Sequence, residues 1–231
     1  MKELEDKRDE CDAGLSFNKK RLIDGPSLGL GLWRRLTLTN SPSPNSVAQR
    51  SQTVPQKSNR AEGKWKVPPL DWLKCNVDGS WNKITGQCGI GWIMRDHSGM
   101  AKHIGVKKFP LSATSLDAEG IALVWTMSCV KNLDYMQVIF ETDCGNLMKA
   151  VKDPISWPKL QNYLHDLTLF CFETDFQFAQ IQRYANCCAD ALAKCLGDFP
   201  IYHIFLDVVF PIWLVPLVDS DKPCTQVSST T

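Results

Sequence analysis

Residues Leu73–Trp81, LKCNVDGSW, place apolar and polar side chains in alternation. A period of two puts Leu73, Cys75 and Val77 on one face and Asn76, Asp78 and Ser80 on the other, the pattern of a half-buried β-strand. The stretch runs into Asp-Gly, a common turn signal, because Asp bonds its own backbone and Gly accepts positive φ. Whether Asp78 does more than end a strand depends on the rest of the chain. A polar turn over residues 82–87 leads to GIGWIMR (Gly89–Arg95), a second strand. Asp96–Gly99 turns the chain again, and Met100–Phe109 forms a third. Three strands joined by short turns make an antiparallel meander.

Downstream the period changes. Ser115–Asn132 reads as a helix with Ser115 as N-cap and Glu119 in its first turns. Gln137–Thr142 is a strongly apolar strand ending at Asp143. Asn146–Lys152 is a short helix closed by Pro154, Leu160–Phe172 another, and Asp175–Arg183 a fifth strand. Asn186–Leu196 is the last helix, with Asn186 as its N-cap. The order βββαβααβα predicts an α/β domain: a mixed five-stranded sheet, three antiparallel strands then parallel additions, flanked by helices. Trp92 lies inside a strand and Trp125 inside a helix, so both are assigned to the core rather than to base stacking.

The composition around this body divides the 231 residues in three. Residues 1–64 are a linker-like arm, expected to be disordered, that contains SPSPNSVAQRSQTVPQKSN and a Gly-interrupted apolar patch, LGLGLW. Residues 65–199 are the domain. Residues 200–231 are an extension, partly packed, with a disordered tail. The arm carries 12 Lys/Arg against 8 Asp/Glu, the domain 13 against 14 and the extension 1 against 3, for a net charge of +1. No overall basic field announces a polyanion. The ten cysteines include no C-x-x-C pair, and Cys187-Cys188 are adjacent, which suits neither a tetrahedral metal site nor an ordinary disulfide. With the charged start MKELEDKRDE, this predicts an intracellular, non-secreted chain with reduced thiols, in the nucleus or the cytoplasm. The apolar run Ile204–Val218 is shorter than a membrane span and is broken by Asp207, Pro211 and Pro216, so no membrane association is expected.

Four acidic residues fall at ends of the predicted elements: Asp78 on the first strand, Glu119 near a helix start, Asp143 after the fourth strand and Asp190 early in the last helix. Each has an ordinary explanation. Asp78 suits a turn, Asp143 a helix cap, and Glu119 and Asp190 the positive end of a helix dipole. Taken together they suggest another reading. Sites in open α/β sheets form beyond the carboxyl ends of strands. Four carboxylates gathered there are unfavourable unless cations neutralise them. Hard oxygen donors of this kind suit Mg²⁺ or Mn²⁺.

The segments KCNVDGSW, GIGWIMRDHSG, AEGIAL, FETDCGNLMKAV and RYANCCADALAK, in that order, resemble the type-1 ribonuclease H domain of plant proteins. This is the module found in retrotransposon-derived reverse transcriptases of the non-LTR class. The resemblance spans residues 72–197 and implies a ribonuclease H-like fold. It further implies that Asp78, Glu119, Asp143 and Asp190 hold two Mg²⁺ ions, with Mn²⁺ able to substitute. The activity implied is endonucleolytic cleavage of the RNA strand of RNA–DNA hybrids, by a monomer, leaving a 5′-phosphate. Gly79 and Ser80 would meet the nucleic-acid backbone through their peptide N–H groups. Arg183 and Asn186 match the family's R-x-x-N piece as substrate-binding residues.

The sequence departs from the family at three points. Cellular members carry a histidine in a loop before the last aspartate, and Phe176–Ala189 contains none; the nearest, His165, falls in a helix. Gly120 stands where alanine is usual, at a cost of roughly 1 kcal/mol inside a helix. No Lys/Arg-rich helical insertion is present to hold a hybrid. These departures keep a second reading open, a catalytically silent, domesticated nucleic-acid-binding or protein-interaction module. A 3′–5′ exonuclease is disfavoured, because a D-x-E pair on the first strand is replaced here by Asp78-Gly79-Ser80.

Overall fold

The computed structural model describes residues 65–109, 112–195, 204–207 and 211–221, with backbone alone for 204–207. The expected linker of residues 1–64, its LGLGLW patch and the tail after residue 221 lie outside the described residues. The alternation at Leu73–Trp81 is realised as strand β1, followed by β2 (Cys88–Arg95) and β3 (Ala101–Phe109) in an antiparallel meander. Helix α1 (Ser115–Asn132) crosses over to β4 (Val138–Thr142), which lies parallel to β1. Helices α2 (Gly145–Lys152) and α3 (Gln161–Glu173) lead to β5 (Gln177–Gln180), parallel to β4, and helix α4 (Cys187–Lys194) comes next.

Most element boundaries shift by a residue or two from the sequence expectation, and two differences alter the reading of particular residues. Thr114, not Ser115, caps α1: its Oγ1 accepts from the Asp117 N–H and donates to the Asp117 carboxylate. Strand β5 is only four residues long, because its pairing with β4 ends at Thr142↔Gln180. Arg183 therefore lies in a 3-10 turn, Arg183–Ala185, instead of ending a strand.

The five expected strands are joined by a sixth. Strand β6 (Ile204–Asp207) pairs antiparallel with β3, giving the order β5-β4-β1-β2-β3-β6. The apolar run that contains β6 has no alternation to mark a four-residue strand. The chain then turns into α5 (Val215–Asp221).

The alternation of β1 and β2 sends side chains to two cores. On one face Cys75, Val77, Ile90 and Trp92 pack with α1, α2 and α3, where Leu123, Met127 and Leu164 are buried. On the other, Ile93, Ile104 and Val106 pack with Cys188 and Leu192 of α4 and with Leu214 and Val218. Trp92 and Trp125 are both buried in the first core, as their positions in the sequence predict. Each fully buried large side chain contributes about 1.5–3 kcal/mol. Helix α4 lies almost on the backbone of β2. A methyl group at Gly91 would stand 2.2 Å from the Ala193 nitrogen, so any larger residue would lift the helix. All eight cysteines of the described residues are free, with Cys75, Cys88, Cys129 and Cys188 buried. Among the described residues no helix is long and apolar enough to cross a membrane.

A buried polar chain ties the flanks of the domain together. Arg95, 1% exposed, donates to the Asp221 carboxylate (2.9 Å) and to Asn76 Oδ1 (2.6 Å). Asn76 donates to Glu141 at 3.0 Å, and the same carboxylate accepts from the Trp65 indole at 2.7 Å. The Arg95 guanidinium lies 3.5 Å from the centre of the Trp65 ring. Removing one partner of such a pair leaves an uncompensated buried charge, at a cost of about 3–5 kcal/mol. Asp221→Ala is therefore expected to lose about that much in urea unfolding, whereas Asp153→Ala, on an exposed turn, should stay within about 0.5 kcal/mol of the parent.

Candidate metal centre

The parallel pairing of β1 with β4 runs from Leu73↔Val138 to Asn76↔Glu141 and stops there. Beyond that point β1 continues, paired with β2, while β4 ends at Thr142. The strands part at their carboxyl ends, and Asp78 and Asp143 flank the opening. Helix α1 supplies a third acid because it can lie unusually close to β1. A methyl group at Gly79 would stand 2.7 Å from the Ala118 carbonyl oxygen and 2.9 Å from the Glu119 nitrogen. Gly79 thus does more than permit a turn. Its missing side chain lets Glu119 reach the strand end, and its N–H donates to the Glu119 carboxylate.

Carboxylate oxygens of Asp78, Glu119 and Asp143 all lie within 4.8 Å of one another. Asp78 is buried and the other two are half-buried. The electrostatic consequence is large. Burial, then repulsion from Asp190 and Asp143, raises Asp78 from 3.8 to about 7. Burial, then repulsion from Asp78 and Asp143, raises Glu119 from 4.5 to about 9. The ordinary alternatives do not account for these acids. Asp143 caps nothing: Cys144 holds the N-cap position of α2 and makes no side-chain cap bond. The acid in the first turn of α1 is Asp117, not Glu119.

Asp190 does lie in the first turn of α4 and close enough to repel Asp78, but it is not one of the three mutually close acids. Its Oδ1 accepts from Arg183 at 3.1 Å and also from Lys194, four residues along the same helix. Arg183, expected from the family resemblance to bind substrate, is here an ion-pair partner of Asp190. Reasoning from the sequence motifs misses Lys194, although an acid–lysine pair at i,i+4 is a recognisable signal.

Asn186 occupies the N-cap position of α4, yet its side chain makes no cap bond. The amide instead donates to the Val77 carbonyl (3.0 Å) and to Asp143 (3.2 Å), clamping the ends of β1 and β4 across the opening. It is 1% exposed, and its Oδ1 is buried without a partner. The Ser80 hydroxyl is also engaged within the fold, donating to Ala193 O at 2.7 Å and accepting from the Gly89 N–H. Gly120, the unusual glycine of α1, faces Tyr163, whose ring would lie 2.8 Å from a methyl group there.

The residues present fit a hard divalent cation. Three oxygen donors converge, the charged forms of Asp78 and Glu119 are disfavoured without a counter-ion, and the partnerless Asn186 oxygen leaves polar capacity beside Asp143.

A family model described as reverse transcriptase-like matches residues 76–195, more than half of the sequence. The chain belongs to the reverse transcriptase-like family. No curated protein sequence matches it significantly. Among solved structures it is similar to RNase H1 of the halophilic archaeon Halobacterium salinarum, at 20% identity, with 55% of this chain and 98% of that one covered and a TM-score of 0.51. It is also similar to LC9-RNase H1, described as a type 1 RNase H with the type 2 active-site motif, at 12% identity, 68% and 87% coverage and a TM-score of 0.52. The fold is ribonuclease H-like. The family match stops at residue 195, while Asp221 and Trp65 of the buried polar chain lie outside it.

The raised carboxyls make stability depend on pH. Asp78 and Glu119 hold protons in the folded chain up to about pH 7 and pH 9, but in the unfolded chain only to their ordinary values of 3.8 and 4.5. The folded state binds more protons throughout that window, so their contribution to stability is full below it and lost as pH rises. In a chelating buffer the melting temperature is expected to fall between pH 5 and pH 9 more steeply for the parent than for Asp78→Asn. Millimolar Mg²⁺ at pH 8 should recover most of the difference. Parallel profiles for the two proteins would contradict this account.

Proposed function

We propose that this member of the reverse transcriptase-like family is a metal-dependent endonuclease that cleaves the RNA strand of RNA–DNA hybrids. The observation that carries the reading is the meeting of Asp78, Glu119 and Asp143 from three separate elements, with Asp190 alongside. Asp78, Glu119, Asp143 and Asp190 are the residues that would hold divalent cations, Mg²⁺ or Mn²⁺. Two such ions, when bound, supply activation of water and charge neutralisation at the leaving 3′-oxygen in an in-line displacement.

The chain's own contribution is to place and orient these groups. Asn186 holds the Asp143 carboxylate against the end of β1. Gly79 admits Glu119, and because α1 covers Gly79 and the Ser80 hydroxyl is bonded to Ala193, this segment would meet a nucleic-acid backbone only through its peptide groups. Arg183, its side chain 75% exposed, is a cationic group available to a phosphate at the rim. Preference for hybrid follows from contacts to 2′-hydroxyls across a wide minor groove, which only the RNA strand presents. The working unit is the domain beginning at residue 65 together with the extension through residue 221.

Purified protein with Mg²⁺ should cut labelled RNA within a hybrid at internal positions, leaving 5′-phosphates and sparing the DNA strand and duplex DNA. Asp78→Asn should reduce the rate by roughly a hundred- to a thousandfold, with the circular dichroism spectrum unchanged. Tight hybrid binding without cleavage, in Mg²⁺ and in Mn²⁺, would assign the chain instead to the silent nucleic-acid-binding class. Undiminished cleavage by Asp78→Asn would overturn the site.

A further inference from the structure

Helix α4 opens with two adjacent cysteines that the proposed cleavage does not use. Neighbours along the chain make a poor pair of ligands by themselves, and the fold supplies what their spacing lacks. The Sγ atoms of Cys187 and Cys188 and a carboxylate oxygen of Asp221 all lie within 4.8 Å of one another. Cys188 Sγ donates to Asp221 Oδ2 at 3.6 Å, from a helix 33 residues further along the chain. Around a tetrahedral Zn²⁺, with Zn–S of about 2.3 Å and Zn–O of about 2.1 Å, a sulfur and an oxygen stand roughly 3.6 Å apart. Cys188 and Asp221 are buried. Cys187 is half-buried, which leaves an approach from solvent.

We propose that Cys187, Cys188 and Asp221 form a second metal site, which takes one thiophilic divalent cation of the Zn²⁺ class and fastens helix α5 to helix α4. Two sulfurs with one carboxylate favour such an ion over Mg²⁺, which prefers oxygen donors throughout. Three protein donors leave the fourth position of a tetrahedral site to water. The set is supported from behind. Arg95, itself buried, donates to Asp221 at 2.9 Å and so orients the carboxylate. Its guanidinium also lies close enough to act on the charge of both sulfurs, and its Nε–H is buried without a partner. When the ion binds, each thiol releases its proton to solvent as its sulfur–metal bond forms. The charges of two thiolates and one carboxylate are then matched by the divalent ion and Arg95. Asp221 lies beyond the residues that the family model matches, so the site belongs to this chain's extension and not to the shared domain. The inference does not depend on the cleavage reading.

Co²⁺ is the probe, because sulfur bound to it gives a near-ultraviolet charge-transfer band that oxygen ligands do not. The full chain, reduced with a phosphine and stripped of metal, is titrated with Co²⁺ in millimolar Mg²⁺ and then with Zn²⁺. The parent is expected to bind one sulfur-ligated ion per chain, with the strong visible absorption of tetrahedral cobalt, and Zn²⁺ should abolish both signals. Cys187→Ala and Cys188→Ala should each lose the band and weaken Zn²⁺ by more than about a hundredfold, beyond what loss of an outer-shell partner causes. Cys171→Ala, half-buried on α3, should behave as the parent. Zn²⁺ should also shield Cys187 from iodoacetamide, read by peptide mass spectrometry, and raise the melting temperature of the parent but not of Cys187→Ala. Absence of the sulfur band in the parent, or an unchanged isotherm for Cys187→Ala, would overturn the proposal. Melting curves in chelator establish that each variant folds, and if Cys188→Ala does not, the half-buried Cys187 carries the test. Asp78→Asn separates this site from the acid cluster: it should keep the band, and its loss there would place the ion elsewhere and overturn the assignment.

Discussion

How closely helix α1 can lie on strand β1 governs the acid cluster. The contact is made through Gly79, where a single added methyl group would press on the backbone of Ala118 and Glu119. Because the helix is allowed in, Glu119 reaches a strand end that already presents Asp78, and the divergence of β1 from β4 leaves room for Asp143. Helix α4 uses the same device on the other face, resting on Gly91 and so carrying Asp190 and Asn186 to the same strand end. Two helices held against one sheet by missing side chains bring acids from distant parts of the chain together.

The domain treats buried charge in two opposite ways. Arg95 is surrounded by Asp221, Asn76 and the ring of Trp65, so its charge is matched and its hydrogen bonds extend through Asn76 to Glu141. Apart from the Arg95 Nε–H, which is buried without a partner, that chain of contacts is satisfied within the fold and secures segments on both sides of the core. At the end of β1, by contrast, like charges are brought together and left to raise one another's proton affinity. Such an arrangement costs stability in the metal-free protein and persists because the surrounding elements are held by their own cores. The first network stabilises the scaffold on which the second, unfavourable one is mounted.

Much of this was legible in the sequence, and the reasons differ by feature. Period-two alternation revealed β1 and β2, and the longer period of residues 115–132 revealed α1, since both are local patterns. The placement of Asp78, Asp143 and Glu119 at element ends was visible for the same reason. Strand β6 was not, because the apolar run that contains it shows no alternation. Thr114 displaced Ser115 as the cap of α1, a choice between two adjacent hydroxyls that only the backbone makes. Asn186 was expected to cap α4 with its side chain, and instead bridges Val77 and Asp143, partners 109 and 43 residues away.

By itself the sequence determined the order of the first five strands and the helices among them, the mixed sheet they build and the positions of four acids along it, because periodicity and turn chemistry act over a few residues. Tertiary structure alone decided which acids meet. It set Asp78, Glu119 and Asp143 together, gave Asp190 to Arg183 and Lys194, and linked Arg95 to Asp221 across 126 residues. The physical reason is reach. Charges and hydrogen bonds act between groups a few ångströms apart, and only the packing of helices on glycine-lined strands sets which groups come that close. At Asp78 the Asp-Gly pair that reads as a turn is, in the folded chain, a carboxylate beside the position where helix α1 touches the strand.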